Sequence, residues 1–496
     1  MKLIIFDGAR NIGGNKIYVE EKEGIFLDFG INFSKHSQYF EEFLRERVGR
    51  GIHDLFYLGL IPKLNVYRKD LIPADLDVSC YPKLKAKAVL ISHAHLDHCG
   101  CAGLLREDVA VVASPLTLAM LKALRDLNAR PGFEAVYISP RSRIGDGRYL
   151  KSCNKYLARE VVCTSKHSSN FVDFVGKRYG DEIGAKIYTL SEFPLPFEVK
   201  ACEVDHSTYG ANAYLIYADT TIAYTGDFRL HGKNAESTKR FVRKARDASV
   251  LIVEGTRVSR EDYNVSEEEV QRNCLKAVEE SKGLVIANFS QKNFERLEMF
   301  AEIARKTGRK VVVSAKQAYL LHALEIEGVK VMKDLLIYDE LKLKSRWEKE
   351  VVMEKWEEKY VDPRQIAKEQ ENYVLCFSFY DMKHLLDIKP KGGTYIYSAS
   401  EAFSEEEEFD FLRLNNWLER FNFKVYGFKV CKLEKPRLEF VRGYHASGHA
   451  SKKDLEWVID KIDPDLIIPV HTDNAEWFLR FENAKILEDG ESLELG

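Results

Sequence analysis

The sequence predicts a layered α/β fold that carries a second α/β domain as an insertion. Apolar, β-branched runs typical of strands recur along the chain, and several of them end in a histidine or an acidic residue. Amphipathic, helix-like stretches such as "SPLTLAMLKALRDL" separate these runs. Helix–strand alternation from about residue 263 to 435 indicates a parallel sheet with its own core.

The strands that end in a chemically capable residue suggest the domain boundaries. They occur in residues 1–262, are missing from residues 263–437 and return in residues 438–496. Groups at one end of several strands are typical of a site held at a sheet edge. We therefore expect one domain built from 1–262 and 438–496, with 263–437 inserted into it.

The composition is that of an ordinary globular protein. The 496 residues are 45% hydrophobic and 30% charged, with a net charge of −3, which excludes a histone-like polycation. No apolar run reaches the roughly 18 residues of a membrane span, and the first residues do not resemble a secretory signal. Nine scattered cysteines without CxxC pairs indicate reduced thiols. We expect no membrane association and a cytoplasmic location, and the abundance of Lys, Arg and Glu is typical of a thermophilic source.

The stretch "VLISHAHLDHCG" predicts a metal site. His93, His95, Asp97 and His98 fall within six positions. A single histidine on an apolar strand is usually a hydrogen-bonded core residue. Burying three imidazoles and a carboxylate without partners would be costly, however, and these groups suit zinc, or alternatively manganese or iron.

Further strand ends predict a second metal ion. His206, Asp227 and His471 bring the number of candidate ligands above the four that one zinc takes. Two ions about 3.5–4 Å apart are typical of phosphodiester hydrolysis, and Asp227 is suited to bridge them. The alternative interpretations are a turn residue after Gly226 for Asp227 and a strand-end hydrogen bonder for His206.

These motifs resemble a known family. "HAHLDH", together with Asp28, His206 and Asp227, resembles the metallo-β-lactamase fold. "VEGTR", "HASGHA" and "IIPVHTD" resemble motifs A, B and C of the β-CASP nucleases, a group that includes ribonuclease J. The resemblance spans most of the chain and implies an αββα sandwich with an inserted β-CASP domain.

The resemblance also implies a role for each residue. One zinc would be bound by His93, His95 and His206, the other by Asp97, His98 and His471, with Asp227 bridging and Asp28 orienting a ligand histidine. Asp97, His449 and Glu254 would be catalytic. His449 would meet the scissile phosphate or protonate the leaving oxygen, and Glu254 would hold its imidazole. The alternatives are a solvated loop histidine for His449 and an exposed strand-end acid for Glu254.

The resemblance predicts a two-zinc phosphodiesterase that hydrolyses RNA by attack of metal-bound hydroxide. Histidine rather than valine in motif C, at His471, is typical of the branch that acts on RNA. Endonuclease and 5′→3′ exonuclease modes both stay open. The alternatives are a DNA-directed nuclease, a small-ester hydrolase with the same metals, and a non-catalytic subunit of RNA processing.

Candidate substrate contacts are less specific. Ser398, Ser400 and Ser447 fall where ribonuclease J relatives bind a 5′-phosphate, although the following "SEAFSEEEEFD" departs from that pattern. His445 and Arg296 are further candidates. Residues 141–160 combine six Lys/Arg with tyrosines, a mixture that suits single-stranded RNA. A solvated charged face is the alternative.

Residues 31–86 form a longer connection than relatives commonly have at this point. The stretch "SQYFEEFLRERV" (37–48) predicts a helix, followed by an apolar run. We expect this segment to form a wall or lid over the metals, or a subunit contact in a homodimer.

Overall fold

The computed structural model describes residues 1–41, 43–260, 264–330, 332–399, 405–431 and 437–495. The chain divides into two compact units. The first comprises Met1–Leu230, Asn234–Asp262 and Gly448–Gly496, and the second comprises His231–Lys233 and Tyr263–Ser447. The first unit thus resumes at Gly448, ten positions after the predicted boundary at 438, and the predicted division stays a prediction.

Two sheets form the centre of the first unit. The larger has eight strands, in the order Lys186–Thr189, Glu160–Cys163, Ala110–Ala113, Ala86–Leu90, Gly24–Leu27, Lys16–Glu20, Lys2–Asp7 and Ser492–Glu494. The smaller has five strands, in the order Glu198–Glu203, Asn212–Tyr217, Thr221–Tyr224, Val250–Glu254 and Leu466–Val470. Apolar side chains of both sheets, including Ile5, Leu27, Tyr214 and Ile252, share one buried core. The two sheets therefore pack face to face.

Helices cover this sandwich. Ala235–Lys244 and Lys452–Ile462 pack on the smaller sheet through a second apolar core that includes Phe241 and Leu455. Pro115–Leu127 contacts the strand Glu160–Cys163 of the larger sheet. The remaining α-helices of this unit are Phe33–His36, His53–Tyr57, Leu96–Cys99 and Ser169–Gly176. The layers follow the predicted αββα order.

The second unit is built on a parallel sheet. Its seven strands lie in the order Tyr360–Val361, Leu335–Tyr338, Lys310–Val313, Tyr373–Cys376, Leu284–Asn288, Gly393–Tyr397 and Phe423–Tyr426. Its α-helices are Glu267–Glu279, Phe294–Lys306, Ala315–Ile326, Glu354–Trp356, Pro363–Lys368, Leu385–Ile388 and Glu405–Arg420. Together with the relatives reported below, the two units confirm the predicted fold class.

The helix predicted over 37–48 is wrong for the residues that the structure describes. The short helix Phe33–His36 precedes this stretch, and a turn of 3₁₀-helix at Val48–Arg50 begins at its last residue. Phe43 and Leu44 are 84% and 60% exposed. A helix of this length depends on packing an apolar face, and these side chains have no core to pack against.

None of the helices in the described ranges has both the length and the apolar character that a membrane crossing requires. The cytoplasmic location stays a prediction.

Candidate metal centre

Strand register brings the predicted residues to one edge of the first unit. Glu254 pairs with Val470 in neighbouring parallel strands, so Glu254 and His471, one residue beyond Val470, reach the same edge of the sheet. Leu27 pairs with Leu90 in the same way, which places Asp28 beside the loop that begins at Ile91. Parallel strands end at the same edge, so residues far apart in the sequence meet there.

Two residues of this edge have unusual backbone conformations. Asp28 and His471 have φ values of 57° and 53°, in the left-handed region that side chains other than glycine rarely adopt. The His471 amide donates to the Gly8 carbonyl at 2.7 Å and the Asp28 amide to the Leu90 carbonyl at 2.9 Å, which fixes both residues. Strained residues of this kind cluster at functional sites.

The short helix Leu96–Cys99 lies against glycine-rich backbone. A Cβ added to Gly30 would lie 1.7 Å from the Asp97 carbonyl oxygen, and one added to Gly13 would lie 2.9 Å from the Asp97 Cβ. Larger residues at these positions would displace Asp97. Both glycines therefore allow the carboxylate of Asp97 its place at the site.

Three histidines form the first group of potential ligands. His93 Nε2 lies 3.0 Å from His95 Nδ1, and His206 Nε2 lies 3.2 Å from the same atom. Two nitrogens bound tetrahedrally to one zinc, at about 2.0–2.1 Å each, lie about 3.3 Å apart. His206 Nδ1 donates to the Gly448 carbonyl at 2.7 Å, which leaves Nε2 free to bind a cation. The spacing therefore fits a shared metal ion.

A second group consists of Asp97, His98, Asp227 and His471, whose ligand atoms all lie within 4.8 Å of one another. His98 Nε2 is 3.0 Å from Asp227 Oδ2. His471 Nε2 is 3.7 Å from Asp97 Oδ2, and its Nδ1 is 3.7 Å from Asp227 Oδ1. Asp227 Oδ2 also lies 3.7 Å from His93 Nε2 in the first group, a position that suits a bridging carboxylate.

Buried polar atoms test whether these residues fit metal ions. Both ring nitrogens of His471 and Oδ1 of Asp227 are buried, and none of them has a hydrogen-bond partner among the described residues. Such orphaned groups are rare and costly unless something else satisfies them. Burial lowers the pKa of His206 to about 4 and also lowers the pKa values of His93 and His471. Neutral imidazoles are the form that binds metal, so the residues fit a bound cation.

Asp28 lies behind the second group and holds it in place. His98 Nδ1 donates to Asp28 Oδ2 at 2.7 Å, which points Nε2 toward Asp227. Burial opposes the charged form of His98, but Asp227 and Asp28 raise its pKa well above the ordinary value. Asp28 also accepts from the Ser92 amide and hydroxyl at 2.7 and 2.8 Å and from the Tyr224 hydroxyl at 2.6 Å.

His449 and Glu254 form a pair beside Asp227. His449 Nδ1 lies 3.1 Å from Glu254 Oε2 and 3.8 Å from Asp227 Oδ2. Burial opposes the charged form of His449, but Glu254 and Asp227 raise its pKa. Glu254 is 1% exposed and also accepts from the Phe228 amide at 3.1 Å and from the Thr256 hydroxyl at 2.5 Å. The structure therefore differs from the alternative of an exposed strand-end acid.

The predicted substrate contacts that the structure describes all belong to the second unit. Ser398 and Arg296 are fully buried in the second unit. Arg296 donates to the Ser398 hydroxyl at 2.6 Å and to Glu267 at 2.9 Å, so its charge is already paired. His445 and Ser447 are half-buried in the same unit. Ser400 lies outside the described residues.

Sequence reasoning missed the residues that support the ligands. Ser92 and Tyr224 bind Asp28, while Thr256 binds Glu254. Ser92 adjoins the histidine motif, which could have drawn attention to it. Tyr224 and Thr256 are common residue types, and nothing in the sequence around them indicates a role.

The chain is similar to known proteins along most of its length. A family model described as "Zn-dependent metallo-hydrolase RNA specificity domain" matches residues 437–478, which contain His449 and His471. Proteins named ribonuclease J from Pyrococcus abyssi and Methanocaldococcus jannaschii are 21% and 23% identical, over 95% and 99% of this chain and 89% and 94% of theirs. The Thermus thermophilus ribonuclease J is 24% identical over 81% of this chain, which spans only 61% of its length.

A solved structure shares the fold. A protein of unknown function from Enterococcus faecalis V583 has a TM-score of 0.68 and 24% identity, over 100% of this chain and 99% of that one. The family model, the relatives and the αββα layers agree with one another. The chain is a ribonuclease J-like protein with a metallo-β-lactamase and β-CASP architecture.

Proposed function

We propose that the chain is a two-zinc phosphodiesterase that hydrolyses single-stranded RNA. One observation carries the proposal: two ligand groups, His93/His95/His206 and Asp97/His98/His471, lie on either side of a shared Asp227. Relatives named ribonuclease J, and the RNA specificity domain matched at 437–478, support RNA as the substrate.

Most of these residues would hold metal ions, and His449 with Glu254 would move a proton. Two bound cations would activate water and neutralise charge on the phosphate, with zinc favoured by the imidazole-rich ligands and manganese as the alternative. Asp28 fixes the ring of His98, and the Gly448 carbonyl fixes that of His206. Ligand partners of this kind set the tautomer and the orientation of the imidazole.

His449 is the proposed general acid. Its Nδ1 lies 3.1 Å from Glu254 Oε2, and this contact fixes the orientation of the imidazole beside Asp227. Its raised pKa favours the protonated ring, which has a proton to give to the leaving oxygen. Half-buried His445 and Ser447 remain candidates for substrate contact. Buried Arg296 and Ser398 would act by holding the Tyr444 carbonyl, to which both donate.

The test compares substrates and metal content. RNA labelled at either end, with a 5′-monophosphate or a 5′-triphosphate, should be hydrolysed in preference to single-stranded DNA and to a carboxylic ester. The product ladders then give the mode and polarity of cleavage. Purified protein should contain about two zinc ions per chain.

Other results would favour the alternatives. If DNA or the ester were hydrolysed as fast as RNA or faster, that compound class would be favoured over RNA as the substrate. A metal-free chain that cleaves nothing after zinc is added would indicate a non-catalytic subunit. The homodimer stays a prediction, which sedimentation of the full chain tests.

A further inference from the structure

A cavity of about 110 Å³ lies beside the helix Leu96–Cys99 in the first unit. Its walls are largely apolar and include Ile31, Phe33, Val48, Leu96, Cys101 and Phe133. Leu96 directly precedes Asp97, so the cavity begins one residue from the second ligand group. The cavity therefore adjoins the turn of helix that carries Asp97.

The rim of the cavity exposes apolar side chains. Phe33 and Val48, which line the cavity, are 50% and 43% exposed, and Phe43 and Leu44 follow nearby in the sequence with still larger exposed fractions. Exposed apolar surface concentrated in one segment marks a place where something binds.

A β-hairpin continues this surface. Its strands are Arg141–Ile144 and Tyr149–Ser152. The Tyr149 ring packs against Gly49, where an added Cβ would lie 2.3 Å from a ring carbon, and the Arg50 guanidinium donates to the Arg148 carbonyl. Because Gly49 follows cavity-lining Val48, the cavity and the hairpin adjoin.

The hairpin is cationic as well as aromatic. Residues 141–155 contain five Lys/Arg and one acid. Lys151 in the hairpin and Lys155, three residues after it, are exposed, and the Tyr149 side chain is 58% exposed. Exposed rings interleaved with cations bind single-stranded nucleic acids, because rings stack on bases while cations follow the phosphates.

We propose that the cavity and this hairpin form a binding surface for the RNA strand that flanks the scissile phosphate. The apolar cavity receives one base beside Phe33, and the hairpin holds the next phosphates with Lys151 and Lys155 and stacks a base on Tyr149. The inference rests on the proposed function. The cations distinguish it from an apolar contact with a second protein, which would not need them.

Two sets of variants test the surface. Phe33→Ala removes an exposed cavity wall, and Lys151→Glu with Lys155→Glu reverses the charge of the hairpin. Both should raise KM for single-stranded RNA, by about tenfold where a stacked base has no ring beneath it. The charge variant should also flatten the salt dependence of binding, by about one unit of slope for each phosphate that a lysine no longer neutralises. Neither should change hydrolysis of bis-p-nitrophenyl phosphate, which is too small to reach the hairpin.

A matched control carries the same charge change elsewhere. Lys239→Glu with Lys244→Glu alters exposed lysines of the helix Ala235–Lys244 in the same unit. Its KM for RNA should stay within about twofold of the unaltered chain. An equal rise of KM in this control would reduce the effect to net charge and overturn the inference.

Other outcomes separate this inference from the proposed function. Normal RNA hydrolysis with unchanged KM in both variants overturns the proposed RNA surface but leaves the proposed function standing. The same holds if these variants turn a dimer of the chain into monomers, because the surface would then bind a second copy instead of RNA. A parallel loss of bis-p-nitrophenyl phosphate hydrolysis overturns it by placing the damage at the metal centre. If the unaltered chain cleaves no RNA, the proposed function fails. RNA binding by protein treated with a chelator, measured by the fluorescence anisotropy of labelled RNA, then tests the surface. Weaker binding in both variants supports the surface, and unchanged binding overturns it.

Discussion

Two buried charged clusters of the first unit differ in whether their polar atoms have hydrogen-bond partners. Around Glu134, both carboxylate oxygens are satisfied, because Arg68, Arg125 and Arg141 all donate to them. Around Asp227, Oδ1 has no hydrogen-bond partner among the described residues, and neither have the ring nitrogens of His471. Both carboxylates are essentially inaccessible to solvent.

The difference separates structure from chemistry. Where a buried carboxylate has all its donors in place, removing any one partner leaves a buried charge unpaired and destabilises the fold, whereas a carboxylate oxygen left without a donor is open to a ligand. The Glu134 cluster also joins the 31–86 segment to the cationic hairpin. Arg68 belongs to the 31–86 segment, and Arg141 begins the cationic hairpin. We call the Glu134 group the structural cluster and the Asp227 group, to which the proposed chemistry is assigned, the working cluster.

The sharpest way to test the working cluster is His449→Ala. Without its imidazole the leaving oxygen lacks a proton donor, and kcat for RNA should fall by about 10²–10⁴-fold. Zinc content should stay near that of the unaltered chain, as atomic emission would show. His167→Ala, a half-buried histidine whose Nδ1 lies 3.0 Å from the Ser168 carbonyl, serves as the control and should keep full activity. Full nuclease activity in metal-loaded His449→Ala would refute the role.

Glu134→Ala tests the structural cluster. It leaves buried arginines without their common carboxylate, so the free energy of unfolding in urea should fall by about 3–5 kcal/mol. Asp108→Ala removes an exposed ion pair with Arg106 and should cost no more than about 1 kcal/mol. Zinc bound per folded chain should be unchanged in both. A Glu134→Ala chain as stable as Asp108→Ala would end the contrast between the clusters.

The sequence predicted that the residues of the working cluster lie together, because their residue types are diagnostic. His93, His95, Asp97 and His98 are adjacent, and His206, Asp227 and His471 each end a strand, so the rule that parallel strands share an edge brings them together. The layered fold followed from the same alternation of strands and helices.

The structural cluster and the supporting residues could not be predicted in this way. Glu134 meets Arg68 and Arg141 through tertiary packing, and glutamates and arginines are too common to signal it. Tyr224 looks like any apolar strand residue. The wrong helix over 37–48 has a related cause, because local pattern favoured it while the absence of a packing partner, visible only in three dimensions, decided against it.

The smallest expected effect comes from Tyr224, which belongs to the buried core and also supports a predicted metal ligand. Tyr224 is a buried core residue, yet its hydroxyl donates to Asp28 at 2.6 Å and accepts from Asn15 at 3.2 Å. In Tyr224→Phe, Asp28 loses one donor and holds His98 less firmly. Affinity for zinc, measured by competition with a chelating dye, should fall by about tenfold, the low end for a partner of a metal ligand.

Tyr214→Phe is the matched control for this variant. Its hydroxyl is equally buried but donates to the Ile91 carbonyl at 2.7 Å instead of to Asp28. Each variant removes a buried hydroxyl that makes two hydrogen bonds, since Tyr214 also donates to the Val112 carbonyl at 3.5 Å, so both should lower the free energy of unfolding by about 1–2 kcal/mol. Only Tyr224→Phe should weaken zinc binding. Equal zinc affinity in the two would show that Tyr224 serves the frame alone, because its bond to Asp28 would then not reach the metal ligands.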